Sequence, residues 1–465
     1  MDLLKHDTKR IDGLIDSYRD DLIKSLRSLL SIPSVKGQPE KGMPFGKDIN
    51  DAALNVYELC KSLGFETKNF DGYVITAEYG TGKEAFAVLS HLDVVPAVGN
   101  WTYPPFEAKI VDGKLYARGA ADDKGPAMCS IYALKAIKEA GIDLNKRNCR
   151  LIFGTDEESG WGDIAYYEKV EGLPEIGISP DASYPVINSE KGLYHVVLTK
   201  EFNENTKDII ELKGGSRANI VPDIATAKAY LNAEKVKEME DLAKELGVGL
   251  TYKTDGEIYE LEVKGKGAHA STPALGLNAI SALIILLANA YEESTEKLNA
   301  LRLIADKIGM QYGGQNMGIY IEDETGDLTL NVGIIDMDQN KLSLTIDIRY
   351  PRATTGVKIT DEFKKVFEGF TVNVTNDKEP HFVSEDHELV KTMLDVYHTY
   401  TGKEAYTVSI GGGTYARALK AGVAFGPGIP GEVETIHQPN EFEWVENYIT
   451  NTKMVAAAIV ELCAE

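Results

Sequence analysis

The sequence predicts an α/β fold carrying a separate α+β unit, on two observations. Up to residue 193, short apolar runs of strand type alternate with segments of helical periodicity, the pattern of a sheet covered by helices. Between residues 194 and 384 the texture changes to strand-like segments among long helices, and from 385 to 465 a pattern of helix, glycine turn and helix returns. A chain of 465 residues also exceeds what one hydrophobic core usually organises, so more than one domain is expected.

Taken in order, an amphipathic helix is predicted from Tyr18 to Ser31, with Leu22, Ile23, Leu26, Leu29 and Leu30 at helical spacing and Pro33 as its stop. A second helix, Asp48 to Leu63, ends at Gly64. Strands are predicted at Tyr73 to Tyr79, Phe86 to Leu89, Leu151 to Phe153 and Ile176 to Ile178, with a helix from Pro126 to Ala140 among them. The middle unit offers strands at Ile258 to Val263, Leu328 to Val332 and Leu342 to Ile348, and helices at Val236 to Leu246 and Asn278 to Glu292. A helix from Asp386 to Tyr400, a turn at Gly411 to Gly413 and a helix from Glu441 to Cys463 close the chain.

Composition narrows the function classes. Apolar residues at 43% and charged residues at 26% describe a folded globular protein. A net charge of −23 repels polyanions, so neither nucleic acid nor an anionic membrane surface is an expected partner. The four cysteines, Cys60, Cys129, Cys149 and Cys463, form no CxxC pair and read as reduced core residues. The start, Met1 to Asp7, has no apolar stretch of leader type, and the run Ala282 to Ala288 is far shorter than a membrane span. The expected compartment is the cytoplasm.

Five short motifs carry candidate chemistry. Ser90-His91-Leu92-Asp93 follows a strand, so His91 stands at a rigid place for a ligand and Asp93 could take the other ring N–H and fix the tautomer. Asp122 and Asp123 lie in a glycine-flanked turn, RGAADDKGP, before a helix. Asp156, Glu157 and Glu158 follow the strand Leu151 to Phe153, and Asp181 follows Ile176 to Ile178. His437 stands in the turn ETIHQPNE. Each motif alone suits an ordinary surface turn, a solvated acidic loop or a helix start. Four of the five, however, fall between residues 91 and 181 at successive element ends, where α/β sheets place ligand sites. Two histidines with three carboxylates form a donor set for zinc, manganese or cobalt, and a shared carboxylate permits two metals, leaving one glutamate for proton transfer.

The motifs HLDVVP, RGAADDKGP, GTDEESGWGD, SPDA and ETIHQPNEF resemble those of the aminoacylase and carboxypeptidase type of co-catalytic metallopeptidases, and within it the bacterial PepV-type dipeptidases. GGSRANIVP, KGAHASTP, DIRYP and GGGTYAR extend the resemblance over essentially the whole chain. It implies a zinc-exopeptidase-like catalytic domain, residues 1–193 and 385–465, with a central mixed sheet flanked by helices, and an inserted lid, residues 194–384. It implies that Asp122 bridges two divalent metals, His91 and Asp181 completing one site and Glu158 and His437 the other. Asp93 orients the histidine, the Asp122-Asp123 peptide is cis, and Glu157 is the general base toward a metal-bridging water. His269 stabilises the oxyanion, and Asn219 and Arg349 grip the substrate's terminal carboxylate, a planar task that suits arginine. Gly411 and Gly412 either offer backbone amides to that carboxylate or simply form a tight turn.

One departure from the pattern is Ala416, where the subgroup leads one to expect glycine; it changes no ligand. The function so implied is hydrolysis of dipeptides with a free N-terminus by a monomer, zinc being the foremost metal and manganese or cobalt the alternatives. A second reading is an acyl-amino acid deacylase or diaminopimelate desuccinylase of the same family. A third, a silent peptide-binding descendant, would have lost ligands or base, and none is lost here.

Overall fold

The computed structural model describes residues 3–204 and 206–465; Met1 and Asp2, the first residues of the start read above as leaderless, lie outside them. The chain forms two compact units. The first comprises the chain up to Ser189 together with Phe382–Val408 and Thr414–Glu465, and the second comprises Glu190–His381 and Ser409–Gly413.

In the first unit a mixed sheet runs, in spatial order, Glu66–Phe70, Val74–Tyr79, Arg147–Gly154, Glu84–His91, Ile176–Ser179, Ala421–Ala424 and Val186–Glu190. The four strands from Arg147–Gly154 to Ala421–Ala424 are mutually parallel and the outer pairings are antiparallel. Side chains alternate across a pleated strand, so Phe86 and Val88 enter one core while Ala87 and Leu89 enter another. The first core is filled from Lys9–Ser17, Arg19–Leu30, Lys47–Ser62, Lys124–Ala140, Glu388–Thr401 and Val445–Cys463, the second from Gly162–Val170 and Tyr415–Ala418. Burial on both faces explains why the parallel strands read as continuous apolar runs.

The predicted helix Tyr18 to Ser31 is present as Arg19–Leu30, and a helix the sequence did not reveal, Lys9–Ser17, precedes it and meets it at Tyr18. One sequence expectation shifts. The last helix starts at Val445 rather than Glu441, because Phe442–Trp444 pairs as a strand with Lys114–Tyr116, setting Phe442 against Tyr116 at 5.4 Å between ring centres.

The second unit is built on an antiparallel sheet ordered Gly249–Asp255, Ile258–Lys264, Ile224–Tyr230, Ile209–Gly214, Thr329–Met337, Lys341–Tyr350, Gly192–Glu201 and Thr371–Lys378. Helices Ala233–Glu245, Ala279–Ala290, Glu296–Lys307 and Gly356–Val366 share its core. Leu342, Leu344, Ile346, Ile348 and Tyr350 all enter that core, so the alternation puts Asp347 and Arg349 on the opposite face. By the same rule Asn331 and His195 share that face. No helix among the described residues is long and apolar enough to cross a membrane.

Candidate metal centre

The parallel strands of the first unit deliver their following turns to one edge. His91 ends Glu84–His91, Glu157 and Glu158 follow Arg147–Gly154, and Asp181 follows Ile176–Ser179. Asp122 and Asp123 lie just before Lys124–Ala140 and are joined by a cis peptide. His437 sits in the turn before Phe442–Trp444, at a left-handed φ of 60°.

These side chains meet. The buried His91 ring has Nε2 at 2.9 Å from Asp122 Oδ1 and 3.6 Å from Asp181 Oδ2. His437 Nε2 lies 2.9 Å from Asp122 Oδ2 and 3.1 Å from Glu158 Oε1. Each oxygen of Asp122 therefore faces a different histidine, with a second carboxylate beside each. Ligand atoms of His91, Glu157 and Asp181 also lie within 4.8 Å of one another, as do those of His91, Asp122 and Glu158.

The electrostatics are those of acids crowded out of water. Burial first, then Asp122 and Glu158, pushes Asp181 up to about 6, His91 opposing. Burial with Asp181 and Glu158 raises Glu157 well above the usual carboxylate range. Burial alone would lower both imidazoles, but Asp181 and Asp122 raise His91 well above its ordinary value, and Asp122 and Glu158 carry His437 up to about 11. Divalent cations fit this set: two imidazole nitrogens and three carboxylates match the ligand preferences of zinc and manganese, and their charge offsets the crowded acids.

A backbone scaffold holds the site. His91 Nδ1 donates to the carbonyl of Asp93 at 2.9 Å, which turns Nε2 toward Asp122. The expected ring partner, the Asp93 carboxylate, is farther away at 3.5 Å. Its short bonds go instead to the Glu157 and Glu158 amides, each donating at 3.1 Å, so Asp93 fixes the acidic turn. Asp163 accepts from Thr155 N at 2.5 Å, from Asp156 N at 2.9 Å and from the Tyr415 hydroxyl. Gly154 is required here, since a Cβ would collide with Tyr415 and Asp163.

Glu441, read from the sequence only as the start of a helix, holds the Asp122 loop. Its Oε1 accepts from Gly119 N and Ala121 N at 3.0 Å and from Asp122 N at 3.3 Å, while Oε2 pairs with the buried Arg118. Glu441→Gln leaves that guanidinium without its counter-charge. The expected loss is about 3–5 kcal/mol of unfolding free energy, read from the urea midpoint. An unchanged midpoint would refute this account of the loop.

The remaining candidates lie in the second unit. The ribbon Ile220–Val221 pairs with Ala268–His269, and Ala270 N donates to the carbonyl of Asn219 at 2.9 Å, so Asn219 and His269 are neighbours. The Ser271 amide donates to His269 Nδ1 at 3.3 Å, and the Ser271 hydroxyl lies 2.7 Å from the same nitrogen. With Nδ1 accepting, a neutral ring carries its proton on Nε2. Asn331, a residue the sequence reading missed, donates to the carbonyls of Ala218 and Ile220 at 3.0 and 2.9 Å and so clamps the peptide on either side of Asn219. Arg349 Nη1 donates to the carbonyl of Gly411 at 2.9 Å. A Cβ at Gly411 would press on Ser271, whereas Gly412 meets no such neighbour. His91, Asp122, Glu157, Glu158, Asp181 and His437 thus gather in one unit, and Asn219, His269, Arg349 and Gly411 are linked in the other.

A sheet edge that gathers two histidines and several buried acids belongs to the class of metal-dependent hydrolases. The match of residues 87–461 to peptidase family M20/M25/M40 narrows this: the chain belongs to that family and is a metallopeptidase. It is 39% identical to YtjP of Bacillus subtilis, provisionally named a dipeptidase, over 96% of this chain and 97% of that one. Identity to the Beta-Ala-Xaa dipeptidase of Lactobacillus delbrueckii subsp. lactis is 33%, over 97% of each. The fold is shared with human carnosine dipeptidase 1, at a TM-score of 0.61 and 17% identity over 99% of both chains. It is also shared with the di-peptidase Dug1p of Saccharomyces cerevisiae, at a TM-score of 0.59 and 16% identity over 99% of both. The expected zinc-exopeptidase-like fold and the resemblance to dipeptidases of this family both hold.

Proposed function

We propose that this metallopeptidase hydrolyses dipeptides bearing a free N-terminus. The observation that carries the reading is Asp122, whose two oxygens each face a separate histidine with a second carboxylate alongside. His91, Asp122 and Asp181 would hold one divalent cation and His437, Asp122 and Glu158 the other. Bound there, the pair supplies Lewis acidity that lowers the pKa of water and polarises the scissile carbonyl.

The chain's own groups do the rest. Glu157 takes a proton from the attacking water and returns it to the leaving amine. His269 offers Nε2–H to the oxygen that gains charge, worth about 3 kcal/mol by comparison with other oxyanion donors. Arg349 and Asn219 hold the terminal carboxylate and so favour short substrates, and Asp93 keeps the Glu157-Glu158 turn in place. The dipeptidase names of the relatives support the substrate class. Zinc is the first metal to test, with manganese and cobalt next. Four buried free cysteines support a reducing compartment such as the cytoplasm, and the protein is read as a monomer.

The rival, an acyl-amino acid deacylase, differs in what it requires at the α-amino group. Free dipeptides are expected to exceed their N-acetylated forms and N-acyl amino acids in kcat/KM by about 10²-fold or more. Faster turnover of the N-acyl compounds would replace the dipeptidase reading with the deacylase one.

A further inference from the structure

We propose that Asp347 is a positioning residue for the reaction: it holds the guanidinium of Arg349 in the orientation that receives the substrate's terminal carboxylate. The inference rests on the reading of Arg349 as the carboxylate grip. It begins with the strand Lys341–Tyr350, where the apolar residues enter the core and the alternation brings Asp347 and Arg349 to the other face, two residues apart. Arg349 Nε donates to Asp347 Oδ1 at 2.6 Å and Nη2 donates to Oδ2 at 2.7 Å, a planar two-bond fork.

Asp347 is itself immobilised. Its carboxylate is fully buried, and from the neighbouring strand His195, its cross-strand register partner, brings Nε2 to 2.8 Å from Oδ2. A third bond from the guanidinium, Nη1 to the Gly411 carbonyl at 2.9 Å, fixes the plane from another segment. An arginine carries five N–H groups. With Nε–H and one N–H of each terminal nitrogen committed to these bonds, one N–H remains on Nη1 and one on Nη2. Those two N–H groups are left to donate to a second carboxylate. Arg349 thus has one carboxylate supplied by the protein and room in its donor set for another.

A buried ion pair of this kind could instead serve stability alone. The two roles separate when a free dipeptide is compared with the same dipeptide carrying a C-terminal amide, which lacks the group that Arg349 would grip. In wild type the dipeptide is expected to be the far better substrate. In Asp347→Ala its kcat/KM is expected to fall about 10²-fold, chiefly through KM, while the amide changes little, so that the preference collapses. Asp347→Asn keeps the shape and one acceptor and is expected to fall between the two.

Outcomes on four proteins decide the matter. If wild type cleaves the amide as well as the dipeptide, or if Arg349→Ala keeps the wild-type preference, the carboxylate-grip reading fails. If those controls behave but the Asp347 variants retain the wild-type preference, or lose both substrates equally, the positioning role alone is overturned. Failure of both Asp347 variants to fold would make Asp347 a folding residue and overturn it too.

Discussion

Stripping divalent cation from the protein is expected to abolish dipeptide hydrolysis, and adding zinc, manganese or cobalt back to restore it. The reason lies in the donor set. Asp122, Glu157, Glu158 and Asp181 are crowded around two imidazoles, and burial raises three of these acids above their ordinary range. Nothing else in that cluster can act as a Lewis acid, so the loss should reach about 10³-fold or more. Two further readouts accompany it. A cation that binds only the folded state at 100 times its Kd adds about 2.7 kcal/mol of stability, so the apoprotein should melt earlier. His437, carried up to about 11 by Asp122 and Glu158, and His91, raised by Asp181 and Asp122, hold protons until a metal displaces them. Reloading should therefore release protons, and affinity should weaken as the pH falls. Apoprotein that cleaves dipeptides as fast as the reloaded form would refute the metal reading.

Much of this site was legible in the sequence because a parallel sheet writes it compactly. Each strand is a short apolar run, and each run ends on the residue or turn that faces the site, so His91, Glu157, Glu158 and Asp181 occur in a fixed order within one stretch. The residues that hold those groups were not legible. Glu441 and Asp163 act by collecting backbone amides, and an acid that will do so looks like any other acid until the fold brings the amides to it. Asn331 did leave a trace, a polar residue between Leu330 and Val332, but the trace marks a position and says nothing of the partner, while Asp347 is one of several polar residues that alternate along its strand. The second unit was harder to read throughout. Its edge strands Gly249–Asp255 and Thr371–Lys378 are half exposed or more, so they carry few apolar residues to reveal their period. Phe442–Trp444 was read as helix because pairing with Lys114–Tyr116 overrides local preference.

Glu157→Gln separates the two adjacent acids, which sequence alone cannot do. Both amides are held by one carboxylate, Asp93, so the turn fixes the two backbones together, and only the directions of the side chains differ. Glu158 reaches His437 at 3.1 Å. Glu157 instead has a carboxylate oxygen within 4.8 Å of potential ligand atoms of His91 and Asp181. A glutamine at 157 keeps the size and the backbone bonds but can neither accept a proton nor return one. The expected result is a fall in kcat of about 10²–10⁴-fold, with KM nearly unchanged because ground-state binding is untouched. Metal content should stay at the wild-type level. Glu158→Gln is expected to behave differently, weakening metal binding first and recovering part of its activity when excess metal is added. Metal content measured on both purified variants, alongside single-turnover rates at saturating metal, distinguishes the roles. If Glu157→Gln loses metal while Glu158→Gln keeps it, the base and the ligand exchange places; if Glu157→Gln keeps its full rate, proton transfer belongs to another group.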